Sequence, residues 1–134
     1  MAVIPALALL AATAGPQAPP PDDATVWRCR NSIEVHCDDG ACAAVPRDEM
    51  TPMDVVFSTD GGFSVCAYTS CWDGAGAVAT SAPFVTIMQA DVPWSDPARA
   101  DGAEDIAIVF DADDRVAMVK AGGFAVPLNC KTTD

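Results

Sequence analysis

FSVCAYTSCWDGAG, residues 63–76, is the stretch whose reading decides the fold. Phe63, Val65 and Ala67 alternate with Ser64 and Cys66, a period of two that belongs to a half-buried β-strand. The same parity puts Cys66 on the opposite face, so a bridge from Cys66 to Cys71 is expected near the surface. Trp72 follows as a large aromatic expected to cover one end of the core, with Asp73-Gly74 turning the chain.

The pattern repeats upstream. Asp60-Gly61-Gly62 is a hairpin signal that joins this strand to one in which Met53, Val55 and Phe57 share a face. Asp38-Asp39-Gly40 reverses a strand at 33–37 into one at 42–45, with Cys37 and Cys42 facing each other across a four-residue loop. Along 33–37, Ile33, Val35 and Cys37 are expected to face inward and Glu34 and His36 outward, and His36 reads as a surface residue. Trp27 and Cys29 share a face at 25–29. Pro46 to Met50 reads as one helical turn, which Thr51-Pro52 ends.

Downstream, 75–82 is a run of small residues with no strand assigned. The segment 84–90, FVTIMQA, is apolar on both faces, as for a strand covered on two sides or lining an interior. Residues 93–104 form the longest polar loop and carry Trp94. Ile106, Ile108 and Phe110 then alternate, Asp111 to Asp114 turns the chain, and Val116 and Met118 are expected to continue the inward face. After Gly122-Gly123, the residues Phe124, Val126, Leu128 and Cys130 share the last one. Pro127 lacks a ladder donor and implies an edge or a local break. Roughly eight or nine short strands, with turns about 8–12 residues apart, predict an all-β fold: a small antiparallel meander forming a barrel or sandwich.

Residues 1–14, MAVIPALALLAATA, read as a signal peptide: the run is apolar, ends in Ala12-Thr13-Ala14, and is shorter than the ~20 residues that span a bilayer. Residues 15–23, GPQAPPPDD, read as a flexible Pro-rich leader, and 24–134 as a single β domain. The expected location is periplasmic or secreted. Cys29, Cys37, Cys42, Cys66, Cys71 and Cys130 agree with it, because an even set in a small exported domain is a disulfide framework. The C-x4-C spacings and the single histidine argue against zinc. Inward positions on the first and last strands favour Cys29–Cys130, leaving Cys37–Cys42 and Cys66–Cys71 as local bridges.

With 19 acidic against 7 basic residues the chain carries a net charge of -12. Phosphate backbones and anionic membrane surfaces would be repelled, so nucleic acid is excluded as a partner and a basic protein is favoured. No stable membrane anchor is expected once the signal is removed, and the oligomeric state is left open. One histidine and no G-x-S-x-G elbow argue against a Ser-His-Asp triad, and neither cysteine pair has the C-x-x-C form of a redox site. Asp111 to Asp114 lacks the glycine and the closing glutamate of a calcium loop, and no glycine pair sits between a strand and a helix to cradle phosphate. No cofactor is expected. The reading is an exported non-catalytic domain that binds another molecule, in its concrete version an acidic inhibitor of a basic envelope enzyme such as lysozyme. The alternatives are a small carboxylate-dependent hydrolase and a purely structural envelope protein. Tyr68, Trp72, Asp73 and Trp94 are the candidate contact residues, because they offer aromatic or charged surface near expected turns.

Overall fold

A computed structural model describes residues 24–99 and 102–133. The segments read as signal and leader, 1–14 and 15–23, lie outside the described residues. Among the described residues eleven strands follow one another: β1 Val26–Arg30, β2 Val35–Asp38, β3 Ala41–Ala44, β4 Met53–Ser58, β5 Gly62–Ala67, β6 Ser70–Ala75, β7 Ala77–Ser81, β8 Phe84–Val92, β9 Glu104–Asp111, β10 Val116–Ala121 and β11 Phe124–Thr132. Every pairing is antiparallel. The sheet runs β6-β5-β4-β1-β11-β10-β9-β8-β7, with the β2–β3 hairpin attached to β11 through Phe124 and His36.

The two ends of that order, β6 and β7, are consecutive in the chain and separated only by Gly76. One bent segment therefore supplies both edges and brings the sheet round into a nearly closed barrel. Up to Ala75 it pairs with β5, and from Ala77 it pairs with β8. At the switch the Gly76 amide donates to the Gly61 carbonyl at 3.0 Å, and the Ala75 amide donates to Gln89 Oε1 at 2.9 Å. These are the two strands that hydrophobic alternation did not reveal. Every residue of β7 is exposed, so it carries no inward stripe to read. Asp73 and Gly74 lie within β6 rather than turning the chain; the reversal falls two residues after Cys66, at Tyr68-Thr69.

Inward-facing side chains fill the barrel: Met53, Val55 and Phe57 from β4, Phe63, Val65 and Ala67 from β5, Ile106, Ile108 and Phe110 from β9, and Phe124, Val126 and Leu128 from β11. On β10 the inward residues are Ala117, Val119 and Ala121, while Val116 and Met118 face solvent, correcting the expected parity. Volume explains it. Ala117 stands between Phe110 and Leu128, and Ala121 between Ile106 and Phe124, so small residues fit where both neighbours are large. Strand β8 is likewise apolar on both faces without being covered on both: Ile87 is buried, whereas Phe84 and Met88 are about half exposed.

The first third of the chain departs from the expected alternation at Ile33 and Glu34. Ile33 is exposed and Glu34 is buried, because regular pairing of β2 begins only at Val35 and strand parity does not extend back to 33. The β2–β3 reversal needs only Asp39-Gly40, both at positive φ, and places Cys37 directly opposite Cys42. Pro46 to Glu49 closes one hydrogen-bonded turn, the Glu49 amide donating to the Pro46 carbonyl at 2.9 Å, without continuing into a helix. Pro127 sits where β11 has left β2 at Phe124 and meets β1 only from Asn129, so its missing amide falls in a local break of the ladder.

All six cysteines are paired, as Cys29–Cys130, Cys37–Cys42 and Cys66–Cys71. Three bridges in a small domain belong to an oxidising compartment. Cys29–Cys130 is buried at Cys29 and joins the first strand to the last, where they are already neighbours.

On the outer surface Arg28 of β1 grips Asp54 of β4, its Nε donating to Oδ1 at 2.9 Å and a second donor reaching Oδ2. Those hydrogen bonds hold the Asp54 carboxyl below the usual carboxylate range. The pair's contribution is complete above the unfolded carboxylate value of about 4 and fades as pH falls through the lower folded value. Unfolding midpoints measured from pH 6 down to pH 2 should therefore decline more steeply for the natural protein than for Asp54→Asn. Parallel declines would refute this linkage.

Candidate functional site

Aromatic side chains close both ends of the barrel. At one end Trp27 and Phe57 pack on Phe110, with ring centroids 4.6 and 5.1 Å away. At the other, outside the buried Trp72 and Phe124, a cleft of about 230 Å³ is lined by Tyr68, Trp72, Trp94, Phe124, Glu104 and the Ala121 to Gly123 turn.

Each ring is held by a local device. Tyr68 lies in the two-residue reversal between β5 and β6, at φ 59° and 70% exposed. A left-handed backbone costs an L-residue of this size about 1–2 kcal/mol, so a bulky aromatic here is unusual. The Cys66–Cys71 bridge spans the same reversal and fastens it. Trp72 points inward from β6 and is buried, its indole N–H donating to the Gly102 carbonyl at 3.1 Å. Trp94 is bridged to Trp72 through the backbone, with ring centroids 4.3 Å apart and planes tilted by 59°. The Ser95 amide donates to the Cys71 carbonyl at 2.9 Å, fixing this loop against the free flank of β6. Phe124 starts β11 after Gly122, whose positive φ makes the turn. Its ring lies 6.5 Å from Trp72 and 6.3 Å from Tyr68.

Behind Phe124 stands a buried polar group. Glu34 is 2% exposed, accepts the Thr51 amide on Oε2, and has Oε1 2.5 Å from His36 Nε2. His36, half-buried rather than outward, packs its ring 4.8 Å from Phe124. The carboxylate ties the β2–β3 hairpin to the entry of β4 and, through His36, backs one wall of the cleft.

Of the four residues singled out in the sequence, Tyr68, Trp72 and Trp94 come together at this cleft. Asp73 points out of the barrel beside Ser64 and takes no part in it. Phe124 and Glu104 were missed. Phe124 read as the first core residue of a strand and Glu104 as the end of a polar loop, and only closure of the barrel brings both to Trp72. All six cysteines being bridged, none is free to hold a metal or act as a nucleophile. Among the described residues no three His, Cys, Asp or Glu side chains are grouped to bind a metal ion.

What fold and cleft define together is a small disulfide-bonded antiparallel barrel with one aromatic mouth. Comparison of the chain with protein-family models, curated proteins and solved structures gave no match.

Proposed function

We propose that this is an exported, non-catalytic binding domain, periplasmic or secreted, that engages a basic protein through its aromatic mouth. In its most concrete form it is an acidic inhibitor of a basic envelope enzyme such as lysozyme. The observation that carries the reading is Tyr68: a largely exposed aromatic kept in a left-handed conformation and fastened by an adjacent bridge, at the rim of a cleft walled by four aromatic rings. A two-residue hairpin loop demands the positive φ, and keeping a bulky exposed aromatic there, rather than Gly, Asn or Asp, is the feature that points to function. Size supports a protein partner as well. A cleft of about 230 Å³ is smaller than the roughly 300–1,000 Å³ of pockets for drug-sized ligands, and suits one inserted side chain. The net charge of -12 supplies the long-range attraction to a basic partner.

Inhibition of lysozyme by the folded, oxidised protein, followed across salt concentrations, tests the proposal. Inhibition that weakens as salt rises, and that Tyr68→Ala reduces, is the expected result. Absence of inhibition together with turnover of a glycan, lost on replacing one carboxylate, would instead establish the carboxylate-dependent hydrolase.

A further inference from the structure

We infer that the aromatic mouth is a receptor for a single cation, the guanidinium or ammonium head of an arginine or lysine side chain presented by the partner; this assignment rests on the binding function proposed above. Four aromatic rings line the cleft, and they are not coplanar. Trp72 and Trp94 are tilted by 59°, Tyr68 and Phe124 by 55°, and Trp72 and Phe124 by 71°. Such rings make a box rather than the flat platform on which a sugar ring would lie. A cation that reaches a ring face in such a box is attracted through the ring quadrupole.

Charge points the same way. Glu104 lines the cleft, and no Lys or Arg among the described residues does. A second, adjoining hollow shares Tyr68 and Trp94 and adds Asp96, so carboxylates flank the rings on two sides. Lys120 donates its ammonium to the Gly122 carbonyl and lines, with Glu104 and Gly122, an adjoining hollow rather than the cleft itself. Among the described residues Glu104 has no ion-pair partner. A guanidinium or ammonium entering the box would meet π-faces around its alkyl stem and a carboxylate at its head, as amphipathic cationic side chains require.

Titration of the oxidised protein with the Nα-acetyl amides of arginine and lysine, which are cationic, and of citrulline and norleucine, which are neutral, followed through the Trp72 and Trp94 indole resonances, tests the assignment. Both cationic amides should move these resonances at millimolar concentration, the better of them distinguishing a guanidinium from an ammonium site, and should bind at least about tenfold more tightly than the neutral ones. Glu104→Gln should weaken them by about tenfold and Tyr68→Ala by several-fold; neither residue is buried, so both variants should fold. Neutral amides binding as well as cationic ones, or indole resonances that do not move, would overturn the cation assignment. A basic protein bound equally well by the natural chain, Glu104→Gln and Tyr68→Ala would also overturn it while leaving the binding function intact. Cationic amides that bind when no basic protein does would sink the partner and keep the site.

Discussion

Replacing Cys29 and Cys130 together by alanine is expected to cost about 4–5 kcal/mol, because the bridge closes a loop of 101 residues and chain entropy assigns about 4.7 kcal/mol to a loop of that size. Removing Cys37–Cys42 or Cys66–Cys71, each spanning a separation of 5, is worth about 2 kcal/mol on the same model. Small domains have total stabilities of roughly 5–15 kcal/mol, so only the long bridge threatens the fold outright. The cost is set mainly in the unfolded chain. The first and last strands already pair, with Cys29 opposite Cys130, and the bridge adds nothing they must be forced into. Urea unfolding of the three double-alanine variants checks this ordering. The long-bridge variant should show the largest fall in stability and a steeper denaturant slope, since its unfolded chain exposes more surface. Equal losses for all three would refute it.

The second large effect is expected at Gly76, the residue at which the closing segment changes neighbours. A Cβ there would stand 2.7 Å from the Met88 carbonyl oxygen and 2.9 Å from Ile87 Cγ2. The demand is for space, since Gly76 is not among the residues with positive φ. Gly76→Val should therefore cost about 3 kcal/mol by forcing β6 away from β8. Gly40→Ala is the contrasting case: nothing lies within 4 Å of its added Cβ, and only the φ of +78° resists it, at about 1 kcal/mol. Thermal unfolding of the two variants separates crowding at the seam from strain at a turn. Hydrogen exchange should show the extra loss in Gly76→Val at the amides of Ala75 and Gly76 themselves.

Strands with one buried face and an ordinary mix of residue sizes were legible. Ile106 to Phe110, Phe124 to Leu128 and Met53 to Phe57 carry the alternation that burial imposes, and Asp60-Gly61 marks the reversal after Phe57, as Asp39-Gly40 marks that of the β2–β3 hairpin. The same parity puts Cys29 and Cys130 inward, which is why their pairing could be read. Legibility failed where side-chain size and side-chain burial part company. Val116 and Met118 look like core but face solvent, because the barrel has room only for Ala117 and Ala121 between large neighbours. Glu34 looks like surface but is buried, because the Thr51 amide and His36 satisfy its carboxylate. The cleft was half legible. Tyr68, Trp72 and Trp94 stand out as aromatics near loops, whereas Phe124 and Glu104 join them only once a strand with no hydrophobic stripe has bent at Gly76 and closed the sheet.

The most direct test of a binding end at the mouth is a map of backbone amide and indole resonances while a basic protein, lysozyme, is added to the isotopically labelled chain. The shifts should centre on Tyr68, Trp94, Glu104 and Phe124, spare the opposite end at Asp60-Gly61 and Asp111 to Arg115, and fade as salt screens the -12 charge. Shifts concentrated at that opposite end, or no shifts at low salt, would contradict the account.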